Sequence, residues 1–151
     1  MSYNVHKKNS SRKAEKKNRI KEFIRVSREV LGEENISTII LFGSKATGVD
    51  STWSDYDFYV VTRREVGWNE KFKIYEKLQF NVDIILRTYS EMKKGISSFN
   101  SLDIYALCFG EIIFGERLDT DKNEIDKSLN RGEIILRPEL GKGVIEYGKK
   151  A

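Results

Sequence analysis

Residues 38–61, TIILFGSKATGVDSTWSDYDFYVV, set acids among runs that should be wholly apolar strands. Ile39-Ile40-Leu41-Phe42 ends at Gly43-Ser44, and ten residues separate Ser44 from Asp55. Asp55 and Asp57 open a second run, Phe58 to Val61, and Asp83 sits inside a third, Val82 to Leu86. A charge in such a run is costly to bury unless it is paired or bound to a cation. The continuous apolarity of the first run, with its two isoleucines, reads as a strand buried on both faces.

The segments between these runs read as helices. Ile20, Phe23, Ile24, Ser27, Val30 and Leu31 recur at helical spacing and predict a helix over about 13–31, closed by Gly32. Phe72, Tyr75 and Leu78 predict a second over about 68–78. Residues 89–96 read as a short helix capped by Ser90 and weakened by Gly95, and residues 101–109 as another. Strands are expected over about 36–42, 55–62, 80–87 and 111–115, and Ser44 to Gly48 as one or two helical turns with Ser44 as cap. Residues 119–130 are charged with little periodicity. The last section reads as a hairpin-like strand pair around Pro138 and Gly141, or as cover for a sheet edge or a partner. The order predicts an α/β (α+β) fold, a small mixed β-sheet with helices packed against it, in a single domain. Its expected divisions are a flexible basic segment 1–12, the domain proper 13–117, and an extension 118–151 without an assigned role.

Composition narrows the chemistry. His6 is the only histidine and Cys108 the only cysteine. That removes histidine triads, multi-histidine metal sites and an internal disulfide, and suits a reducing, cytoplasmic setting. No apolar stretch approaches the roughly 20 residues needed to span a bilayer, and the polar N-terminus is no signal peptide. Cys108 reads as a buried inert thiol, and Asp103 and Glu111 as a helix-face and an edge charge. Tyr56 and Phe58 read as core, and Trp53 as a packing residue or a platform for a nucleobase. Residues 1–25 hold nine Lys and Arg against Glu15 and Glu22, a net of +7; as the whole chain carries +4, the rest carries −3. Such an end either is a solvated face or attracts phosphates and nucleic acid.

Asp55 and Asp57, two apart on a strand, point to one face. Mg²⁺ suits such a pair, because it takes oxygen ligands, binds through one or two carboxylates and completes its shell with water and phosphates. Asp83 on a neighbouring strand adds a third carboxylate, so Asp55, Asp57 and Asp83 are the candidate metal and catalytic residues. Two Mg²⁺ ions there, or Mn²⁺, would polarise a nucleoside triphosphate. Gly43 allows close approach of the backbone, Ser44 would turn free N–H groups toward the phosphates, and Lys45 adds a cation.

Gly-Ser, ten residues, Asp-x-Asp, followed by Asp83 in Asn81-Val82-Asp83-Ile84, resembles the DNA polymerase β-like nucleotidyltransferases, and most of all the minimal nucleotidyltransferases (MNT) encoded beside HEPN partners. The resemblance covers about residues 18–115. It implies that Gly43 and Ser44 bind the triphosphate, that Asp55 and Asp57 hold the metal ions, and that Asp83 completes the site nearest the attacking hydroxyl. It implies transfer of a nucleoside monophosphate, AMP from ATP, to a hydroxyl on a protein, RNA or small molecule. The alternative is an antitoxin-like partner that neutralises a HEPN-type ribonuclease by contact; a homo-oligomer also stays open. Many relatives read GSRARG where this chain reads GSKATG. Lys45 keeps the charge without arginine's fork, and Thr47 drops a cation.

Overall fold

Neither Gly nor Pro occurs between Ser2 and Leu31, and one helix, α1 (Ser2–Leu31), spans them without a break. In this computed structural model residues 2–43, 55–140 and 143–148 are described, with side chains from residue 12 on. The helix thus continues through residues 2–12, where an irregular flexible segment is expected. Lys7, Lys8 and Arg12 are good helix formers, and neither Gly nor Pro interrupts the stretch. Gly32, at φ +86°, ends it.

The strands are β1 (Ile36–Phe42), β2 (Tyr56–Thr62), β3 (Val82–Thr88) and β4 (Glu111–Gly115). They form one sheet in the order β3-β2-β1-β4. β1 pairs antiparallel with β2 and β4, while β2 and β3 run parallel. The parallel pair is joined by α2 (Trp68–Lys77), the crossover such a pair requires. α3 (Tyr89–Ser97), α4 (Ser101–Phe109) and α5 (Asp119–Asn130) follow. A two-stranded antiparallel pair closes the fold, β5 (Ile134–Leu136) with β6 (Ile145–Tyr147).

Every residue of β1 and β2 is buried, polar Ser37, Thr38, Asp57 and Thr62 included; for β1 the continuous run Ile39–Phe42 predicts burial on both faces. Ile39, Leu41, Phe58, Val60 and Ile84 pack on one face with Phe23 and Val26 of α1 and Ile74 of α2. Ile40, Phe42, Tyr59 and Val61 pack on the other with Met92, Ile96, Ile104 and Leu107 of α3 and α4. The Phe23 and Phe58 rings stack at 3.7 Å; full burial of such a ring contributes about 1.5–3 kcal/mol.

Several expectations shift. On α2 it is Ile74 that is fully buried, while Phe72 is 57% exposed. α3 is capped by Thr88, not Ser90: the Thr88 hydroxyl accepts from Glu91 N–H, and the Glu91 carboxylate accepts from Thr88 N–H. Residues 119–130 are a helix after all, held by Ile125 and the buried Asp121. Its apolar face is too narrow to stand out in a sequence so charged. With Leu118 and Ile134, that helix and the hairpin pack onto the second core rather than extend from it.

Candidate functional site

The strand directions bring the chemistry to one end of the sheet. β1 ends at Phe42-Gly43, and Phe42 pairs with Asp57 near the start of β2. Because β3 runs parallel to β2, its own start lies at the same end, and Asp83 pairs in register with Asp57. Parallel neighbours stand roughly 4.8 Å apart, with paired side chains on one face. That face is the one carrying Tyr59 and Ile85, two residues further along each strand, and these pack in the second core.

Asp57 is 7% exposed, whereas Asp83 is open to solvent. Asp55 stands one residue ahead of β2 and is exposed. Gly43 takes φ +79°, the left-handed conformation a glycine supplies without strain. Ser44, Lys45, Thr47, the proposed turns to Gly48 and Trp53 lie outside the described residues.

Among the described residues, no group of three His, Cys, Asp or Glu side chains is assembled to hold a metal ion. The donor set nevertheless suits Mg²⁺ in kind. Asp57 and Asp83 offer hard carboxylate oxygens from adjacent strands, and Mg²⁺ needs only one or two.

Further along the same face, two residues on from Asp57 and four on from Asp83, lies a polar brace that the sequence reading missed. The Tyr59 hydroxyl donates to Asp103, and Arg87 Nε donates to the same carboxylate oxygen at 3.2 Å. Asp103 is 1% exposed and comes from α4, while its partners come from β2 and β3. Burial, then the bond to Asp103, pushes the Tyr59 hydroxyl well above its usual range, so it stays a donor. Asp103 is therefore no exposed helix-face charge but the tie between α4 and the strands that bear the acids. Gly95 makes room for it: a Cβ there would stand 2.1 Å from Asp103 Oδ2. The available signal was an acid inside the apolar helix SLDIYALCF, with an arginine on a neighbouring strand.

The remaining expectations fall away from the site. Cys108 is partly buried, and burial raises its thiol to about 11. Glu111 opens the edge strand β4 and is exposed. No described helix is long and apolar enough to cross a membrane.

A family model described as Polymerase beta, Nucleotidyltransferase matches residues 25–101, a span that contains Gly43, Ser44, Lys45, Asp55, Asp57 and Asp83. The curated proteins contain no significant match. Among solved structures, a toxin–antitoxin with AMP-PNP matches at TM-score 0.52 and 19% identity, over 74% of this chain and 85% of that one. A mutant MntA–HpeT toxin–antitoxin matches at TM-score 0.50 and 16% identity, over 74% and 84%. At such identities the likeness is one of fold.

Proposed function

The chain belongs to the polymerase β nucleotidyltransferase family, and from that premise we propose that it transfers AMP from ATP to a hydroxyl on a HEPN-type partner protein. The observation that carries this reading is the in-register pair Asp57 and Asp83, at the same sheet end as the left-handed Gly43. Asp57 and Asp83, with Asp55 at the strand entrance, would hold Mg²⁺ or Mn²⁺. Such an ion supplies charge neutralisation at the leaving pyrophosphate and a more acidic acceptor hydroxyl. The chain itself supplies position. Gly43 lets the backbone approach the triphosphate, and Ser44 and Lys45 are proposed to bind it. Asp83, the more solvent-open acid of the pair, would take the proton from the acceptor. The acceptor oxygen bonds to the α-phosphorus as the bond to the pyrophosphate oxygen breaks.

A second reading has its own support. α5 and the β5–β6 hairpin fold back on the second core, so a surface for the acceptor would fall to another protein. A toxin–antitoxin is among the fold neighbours. An antitoxin that acts by contact alone would need no chemistry.

Incubation of the protein with α-labelled ATP, Mg²⁺ and a co-encoded partner separates the two. Transfer of label by wild type and its loss in Asp57→Asn supports catalysis. Rescue from the partner's toxicity by a variant carrying both Asp55→Asn and Asp57→Asn, with no transfer by wild type, supports contact alone.

A further inference from the structure

The buried face of α1 changes character partway along the helix. Counting back a turn at a time, Leu31, Ser27, Phe23 and Ile20 face the sheet. The same stripe then continues as Lys16, Lys13 and Arg12. The change comes where the sheet ends. Arg19 lies 5.5 Å from the ring of Tyr56, the first residue of β2, and 5.3 Å from that of Phe80, just ahead of β3. Further along, Phe23 stacks on Phe58, and Arg64, beyond the end of β2, reaches the carbonyl of Leu31. So α1 runs parallel to β2, and the turns before Arg19 overhang the sheet at the end where Asp55, Asp57 and Asp83 lie. At about 1.5 Å per residue this overhang extends roughly 25 Å.

We propose that the overhanging turns of α1 are a binding arm for a nucleic acid, which they hold by its phosphate backbone beside the acidic end of the sheet. Glu15 pairs with Arg19, but among the described residues no carboxylate pairs with Arg12, Lys13, Lys16 or Lys17. These cations are accordingly available to phosphates. Their setting favours a nucleic acid over an acidic protein. From Lys7 to Arg19 the only apolar residue is Ala14. A protein interface draws its affinity from buried apolar and aromatic anchors. A row of cations without such an anchor matches a sequence-independent phosphate track. The charge is also segregated: net +7 over residues 1–25 against −3 over the rest. This inference reaches beyond the transfer reaction and does not depend on it.

The test is fluorescence anisotropy of the full chain with a short labelled RNA and its DNA counterpart, over a salt series. Wild type should bind with a steep salt dependence. A variant combining Arg12→Gln, Lys13→Gln, Lys16→Gln and Lys17→Gln should bind at least tenfold more weakly. Its log–log salt slope should be shallower by about 2–3, at roughly 0.7 per lost single-strand phosphate contact. Glutamine retains helix propensity, so circular dichroism should show the helix intact. Lys71→Gln with Lys73→Gln, on α2, should leave binding unchanged. Asp57→Asn should keep the arm's steep salt dependence, so that a loss of transfer and a loss of the arm read separately. Absent or salt-insensitive binding, equal loss in the α2 variant, or displacement of RNA by polyglutamate at equal charge would overturn the proposal.

Discussion

Asp57 and Asp83 face each other in register across the parallel β2–β3 pair, one acid nearly buried and the other open to water. Two like charges on neighbouring strands repel. The fold accepts that cost at the one sheet end where β1 also turns through a left-handed glycine. A site that keeps two acids together trades stability for function.

Removing that repulsion should stabilise the protein. Asp83→Asn, measured by thermal unfolding without divalent cations, is expected to be more stable than wild type by a few tenths to about 1 kcal/mol. The bound reflects screening of an exposed acid. The same variant should lose nucleotidyl transfer. A destabilised Asp83→Asn would mean that the two carboxylates do not repel in the folded state.

Gly95→Ala should destabilise although alanine is the better helix former. The added Cβ meets Asp103 Oδ2 at 2.1 Å and Cγ at 2.5 Å. Asp103 cannot swing away without losing Tyr59 and Arg87. A loss of about 1–3 kcal/mol is expected, in line with overpacking of a close-packed site. The urea midpoint reads it directly; an unchanged or higher midpoint would show that Asp103 has room to move.

The capping box of α3 gives a pH signature. The bond from Thr88 N–H lowers the Glu91 carboxyl below its usual value. A depressed folded pKa means the charge stabilises above the unfolded value, near 4.3. That stabilisation is lost as pH falls through the folded value. Glu91→Gln keeps a hydrogen-bond acceptor and removes the charge. It should cost up to about 1 kcal/mol at pH 7, from the charge at the helix N-terminus. The gap to wild type should close as pH drops below 4. Thermal unfolding of the pair across pH 3–7 checks this.

Cys108 should react slowly while the protein is folded. Its thiol lies at about 11, raised by burial and then by Asp126. The unfolded chain has an ordinary thiol near 8.5. At pH 8 alkylation of native protein should run at least tenfold slower than in urea. Equal rates would mean that the thiol is open.

The central strands were legible because two-sided burial leaves an unbroken apolar run, and β1 and β4 fall on the expected residues. The acids were legible because they interrupt such runs, but their register was not. That Asp57 faces Asp83 follows from the parallel pairing, which periodicity does not encode. α5 escaped notice because its buried residues, Asp121 and Ile125, include an acid. The start of α1 escaped because its first turns carry no apolar stripe to mark them. Gly95 read as a helix weakener because its reason, the nearby Asp103, comes from another helix.

If Asp57 and Asp83 form a metal-dependent nucleotide site, calorimetric titration of ATP into the protein reads it directly. With Mg²⁺, wild type should bind ATP, and either EDTA or Asp57→Asn should weaken binding at least tenfold. Binding of equal strength in all three cases would contradict it.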